Sequence, residues 1–98
     1  MRADTTAQGV ADTKMASRYL QQLCKHWSHK AETAFDAEKG TIVFESGESV
    51  SLKAAFDQLH VEVTTKDSAG LDPFCKVVAE HLERFGFRED FSVTWQTV

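Results

Sequence analysis

The strongest constraint on this chain is a hydrophobic period that switches back and forth between helix and strand. Residues 14–30 place Ala16, Leu20, Leu23 and Trp27 on one face at helical spacing, flanked by Tyr19 and Cys24. Residues 33–64 then alternate between apolar and polar positions, which is the period of a half-buried strand. Helical spacing returns with Phe74, Val77, Val78, Leu82 and Phe85. Alternation resumes with Phe91, Val93 and Trp95 against Ser92, Thr94 and Gln96. No single element can satisfy both periods, so the chain must be a mixture of helices and strands.

Turn residues cut the alternating stretch into strands. Ala34, Phe35 and Asp36 form a short piece before the turn Glu38-Lys39-Gly40. Ile42 and Phe44 share one face of the next strand, which ends at Ser46-Gly47-Glu48. Val50 and Leu52 point inward from the strand after that. Phe56-Asp57-Gln58 turns the chain again, and Leu59, Val61 and Val63 follow. Close turns between alternating strands imply an antiparallel meander with one wet face. Its outward positions include Ser49, Ser51, His60, Glu62 and Thr64, with Ser92, Thr94 and Gln96 from the last strand. Before the first helix, residues 6–12 alternate weakly and suggest a short strand, although Ala7, Gly9 and Ala11 offer little to pack. Asp12 or Thr13 can cap the first helix. Asp67, or Asp72 followed by Pro73, can start the second, and Gly86 is placed to end it.

The expected order is therefore (β)-α-β-β-β-β-α-β. Each helix has one apolar stripe and each strand one apolar face. An α+β fold with two helices on one side of an antiparallel sheet buries all of these at once. The 98 residues make one domain, 1–98, with residues 1–5 expected to fray.

Composition narrows the function classes. The chain is 42% hydrophobic and 27% charged with a net charge of −4. An acidic chain is a poor partner for nucleic acid or an anionic membrane. No stretch is apolar enough to span a bilayer and the start lacks the apolar run of a leader, so a cytoplasmic protein is expected. Cys24 and Cys75 show no metal-ligand or CxxC spacing and read as two buried free thiols. A glycine-rich phosphate loop, a G-x-S-x-G elbow, an H-E-x-x-H pair and a dinucleotide fingerprint are all missing. These residues carry no positive case for an enzyme, a cofactor or a metal, and no catalytic residue is assigned.

Three sets of residues remain as candidates. No acidic residue lies between Asp12 and Glu32, while Lys14, Arg18, Lys25 and Lys30 do. That segment carries +4 and leaves seven basic against fifteen acidic residues elsewhere. On a helical wheel Arg18, Gln22, Lys25 and His29 line the exposed side, with His26 at its edge and Lys30 beyond. This strip can hold a phosphate, a carboxylate or an anionic chelate, or it is a solvated face whose cations suit a helix C-terminus. His26 and His29, three apart, could begin a metal site, but zinc takes three or four protein ligands and the flanking lysines oppose a cation. His81 falls near the middle of the second apolar stripe. It is either a satisfied core imidazole or a base facing a pocket between helix and sheet. The wet sheet face offers a further surface for docking or self-pairing, so a monomer and a homodimer both stay open.

Two long runs carry a family resemblance. Residues 17–30 read SRYLQQLCKHWSHK, and residues 77–89 read VVAEHLERFGFRE, followed by Val93-Thr94-Trp95. Both resemble the bacterial domain-of-unknown-function family 2218, over about residues 5–97. The resemblance implies a small bacterial cytosolic protein without an established activity. It also implies a curved antiparallel sheet with two helices on one face, TATA-box-binding-protein-like or similar to a phosphohexomutase C-terminal domain. It further implies, for some members, a link to iron–siderophore uptake and ferric-siderophore reduction. Under that link Arg18, Lys25, His26, His29 and Lys30 would face an anionic ferric chelate. The chain has no flavin fingerprint or thiol pair with which to reduce iron itself. The expectation is a non-catalytic module that binds a small anionic ligand or a protein partner. Two alternatives stand beside it: a small enzyme using His81, and a homodimerisation or interaction domain.

Overall fold

Alternating patterns with short turns become strands, and the two helical stripes become helices that cover them. The computed structural model describes residues 5–86, 88, 89 and 91–97. The elements are β1 (Thr5–Asp12), α1 (Ala16–His26), β2 (Ala31–Phe35), β3 (Lys39–Phe44), β4 (Ser49–Ala54) and β5 (Gln58–Thr65). A 3-10 turn (Ser68–Gly70), α2 (Leu71–Phe85) and β6 (Thr94–Thr97) follow. The six strands form one antiparallel sheet in the order β2-β3-β4-β5-β1-β6.

Register puts the core residues of β1, β3, β4 and β5 on one side, while Val43, 47% exposed, lies on the other. Ala7 faces Val63 and Gly9 faces Val61 across β1–β5, while Val50 and Leu52 face the same two valines across β4–β5. Ile42 faces Val50 across β3–β4. Leu20 and Leu23 of α1 and Val78 and Leu82 of α2 join them in the core, all fully buried. Each such side chain contributes about 1.5–3 kcal/mol by leaving water. The opposite face stays wet. Gln96, Gln8, Glu62, Ser51, Thr41 and Ala34 form one cross-strand row on it. Gln8 donates to Glu62 at 3.1 Å within that row.

The strand β1 is longer and more central than its weak pattern implies. It spans eight residues and lies between β5 and β6. Its small residues are what the position demands. A β-carbon at Gly9 would come within 2.8 Å of Trp95 and of Val93, so glycine leaves room for β6 to close over it. Gly40 plays a similar part on β3, where a β-carbon would come within 2.8 Å of Cys24 Sγ and 3.1 Å of Leu20. Gly47 has φ +103° in the β3–β4 turn, a conformation glycine adopts without strain.

Other boundaries shift as well. α1 ends at His26, before His29 and Lys30: Ser28 N–H bonds three residues back to the Lys25 carbonyl instead of four, and the chain then turns into β2. β2 runs further back than its apolar piece, to Ala31, and β6 begins only at Thr94. Neither expected cap starts α2, whose N-cap is Gly70 and whose first residue is Leu71. Asp67 caps the 3-10 turn through Gly70 N–H at 2.9 Å, and Asp72 and Pro73 sit in the first turn of α2. Val77, expected in the stripe, is 40% exposed. Thr13 accepts from Met15 N–H at 3.0 Å beside the start of α1, while Asp12 instead accepts from Gln58. Thr5 already belongs to β1, and residues 1–4 of the expected frayed start lie outside the described residues. Cys24 and Cys75 are buried free thiols, as expected, and burial pushes the Cys24 thiol up to about 11.

A single carboxylate ties the α1 entrance to the segment after α2. Glu89 accepts from Thr13 Oγ1 at 2.8 Å and from the Tyr19 hydroxyl. The Tyr19 ring stacks on Phe91 at 5.2 Å. Burial, then the Glu89 hydrogen bond and charge, push the Tyr19 phenol up to about 12. The neutral phenol is thus the form that folding favours. The stability it contributes is complete below the ordinary value of 10.0 and is lost as pH rises through about 12.

Two outcomes are expected. Because Tyr19 is the only tyrosine, ultraviolet titration should show one phenol ionising near pH 12, and Glu89→Gln should bring that midpoint down. Gly9→Val should lower stability in urea unfolding by about 1–3 kcal/mol through overpacking against Trp95.

Candidate functional site

The residues singled out in the sequence do not converge. They separate into three places around α1, because that helix ends three residues before His29.

The first place is the solvent side of α1. Arg18, Gln22 and Lys25 recur at helical spacing and are exposed. Together with Lys14, Met15, Ser17 and Gln21 they line an open groove of about 570 Å³. Ser17 donates to the Ala37 carbonyl at 2.5 Å and accepts from Gln21 Nε2 at 3.0 Å. That pair fixes the wall nearest β2, while the longer cationic side chains reach into solvent. Among the described residues, Lys14, Arg18 and Lys25 carry no ion pair. The Lys14 ammonium lies 5.9 Å from the ring centroid of Phe56, which is 84% exposed. Lys14 is the residue that the helical wheel omitted from this face, since it precedes the helix and joins the groove through tertiary placement.

The second place is the turn after α1. His29 and Lys30 line a separate hollow of about 410 Å³ with Ser28, Glu32, Phe44 and Glu45 among its walls. The strip expected from Arg18 to Lys30 is therefore interrupted. Lys30 N–H and Ala31 N–H both bond to the Trp27 carbonyl, at 3.0 Å each, and this turn swings the two side chains away from the groove.

The third place is where α1 meets α2. His26 lies with its ring centroid 5.0 Å from that of His81. Trp27 lies 4.9 Å from His81, and Phe44 and Phe74 continue the aromatic series at 5.2 and 5.6 Å. His81 does not sit between α2 and the sheet, as its place in the stripe suggested. The side chains of α2 that reach the core are Leu71, Cys75, Val78, Ala79 and Leu82. His81 falls one step around the helix from that line, half-buried and turned toward α1. Its Nδ1 is 2.7 Å from the Val77 carbonyl oxygen. A carbonyl only accepts, so Nδ1 carries the proton and donates, leaving the Nε2 lone pair open in the neutral ring. Neither the groove over α1 nor the hollow over the outer sheet face reaches His81.

The His26 imidazole is held below its ordinary value of 6.5. Desolvation against the neighbouring rings is the main cause, followed by the charges of His81, Lys30, His29 and Arg84. The expected pairing of His26 with His29 is replaced by a cross-helix pairing with His81. Among the described residues, no group of three or more His, Cys, Asp or Glu could hold a metal ion.

The wet sheet face is also more hollow than its alternation implied. Gln8, Thr41, Ser51, Lys53, His60 and Glu62 line a depression of about 640 Å³ on it. Among the described residues no helix is long and apolar enough to cross a membrane.

Folding favours the neutral form of His26, so the stability tied to it is present above pH 6.5 and is lost as pH falls through the lowered value. A proton NMR titration should find the His26 ring below 6.5, and His81→Gln should move it back toward that value.

Comparison with known proteins gives this geometry a family. The solved NMR structure of PA4090 from Pseudomonas aeruginosa superposes with a TM-score of 0.77 at 33% identity, over 94% of this chain and 95% of that one. No curated protein matches the chain. Residues 8–96 match the family described as "Uncharacterized protein conserved in bacteria (DUF2218)". With its sheet order, two covering helices and nearly full-length match, the chain belongs to the DUF2218 family.

Proposed function

We propose that this chain is a non-catalytic binding module that takes a small anionic ligand on the exposed side of α1. The observation that carries this reading is the open groove lined by Lys14, Arg18 and Lys25, none of which has an acidic partner among the described residues. Its volume of about 570 Å³ falls within the size range of small-molecule sites. Arg18 offers a planar fork for a carboxylate or phosphate, Lys14 and Lys25 offer point charges, and Gln22 offers amide hydrogen bonds. Met15 adds an apolar side chain to the groove lining, and Phe56 lies beside the Lys14 ammonium. The finer reading is an anionic ferric chelate within iron–siderophore metabolism. It rests on the family resemblance of residues 17–30 and 77–89 and on the match of cation to anion.

His29 and Lys30 lie outside this groove, so the ligand contacts fall on Lys14, Arg18, Gln22 and Lys25. Exposed charges in water interact through a screened field, so binding weakens as salt is added.

Native mass spectrometry of the untagged chain from cells tests this reading. The folded wild type should carry an added anionic mass that denaturation releases. The Arg18→Glu, Lys25→Glu double variant should lack that mass while keeping its unfolding midpoint, because both side chains are exposed. A bare wild type, or an adduct that survives in the double variant, overturns the proposal.

A further inference from the structure

Two imidazoles from different helices meet at the α1–α2 contact, on the other edge of α1 from the groove. His26 is the last residue of α1, and His81 lies near the end of α2. Their ring centroids are 5.0 Å apart with a tilt of 54°. Trp27 and Phe85 stand beside them, at 4.9 Å from His81 and 6.2 Å from His26 respectively.

We propose that His26 and His81 together bind a borderline divalent transition ion of the kind imidazole favours, such as zinc, nickel or copper, and leave its remaining positions open. Metal–nitrogen bonds of about 2 Å on a tetrahedral ion set the centroids of two ligating imidazoles roughly 5 Å apart. The observed centroid separation matches that spacing. His81 already has the outer contact typical of a ligating histidine: Nδ1–H donates to the Val77 carbonyl and directs Nε2 as the free donor.

The absence of a third protein ligand among the described residues defines the kind of site. Zinc sites built by protein alone carry three or four protein ligands; two histidines fall short of that count and leave positions for water or for a donor atom of a bound molecule. Lys30 and Arg84 oppose a bare dication, so the site is weaker than a closed one and exchanges its ion readily.

Titration of zinc chloride into the untagged full chain at neutral pH, followed by calorimetry, tests the proposal. One saturable event near one ion per chain is expected. His26→Ala and His81→Gln should each weaken it roughly tenfold or more. His60→Ala on the outer sheet face should leave it unchanged, as should the Arg18→Glu, Lys25→Glu variant, which separates this site from the anion groove. In a Trp95→Phe background, copper should quench Trp27 fluorescence with the same stoichiometry. No saturable event overturns the proposal. So does an affinity that survives either histidine substitution. If circular dichroism shows that His81→Gln disturbs folding, His26→Ala decides alone, since His26 is exposed.

Discussion

Everything in this structure depends on the sheet having one apolar face. The strands β1, β3, β4 and β5 direct Ala7, Ile42, Val50, Leu52, Leu59, Val61 and Val63 to the same side. Among the described residues both helices, α1 and α2, pack on that side. A chain of this size supports one core, and most of the large apolar side chains lie there. Consequently the wet face of the sheet and the outer faces of α1 and α2 are polar surfaces open to recognition.

Close approach between the layers is set by small residues as much as by large ones. Gly40 admits Cys24 and Leu20 of α1 against β3, and Gly9 admits Trp95 of β6 against β1. At the opposite end Glu89 holds Thr13 and Tyr19, so the exit of β1 and the start of α1 are joined to the segment that follows α2. These contacts seat α1 firmly. A rigid helix is a suitable platform for the cations on its solvent side, because their relative positions are decided before a ligand arrives.

The histidines show how one helix can serve two surfaces. Arg18, Gln22 and Lys25 look outward, whereas His26, the next residue after Lys25, turns toward α2 and meets His81. The turn through Trp27 then carries His29 and Lys30 to a third position. Charge is thus distributed in separate groups, and the ring cluster at the helix contact is kept apart from the groove by the body of the helix.

Much of this was legible in local pattern. The spacing of Leu20, Leu23 and Trp27, the alternation of Leu59, Val61 and Val63, and the turns at Gly47 and Phe56 determined the type and order of the elements. They did so because helix and strand periods are properties of neighbouring residues. The cationic side of α1 was legible for the same reason. The central position of β1, the meeting of His26 with His81 and the separation of His29 and Lys30 from Arg18 were decided only by the tertiary structure. Strand order depends on which edges pair across distant sequence, and β1 pairs with β5 and β6 through small residues that carry almost no periodic signal. A cross-helix distance depends on how two stripes settle onto one sheet, and a helical wheel drawn for each helix alone contains no information about it.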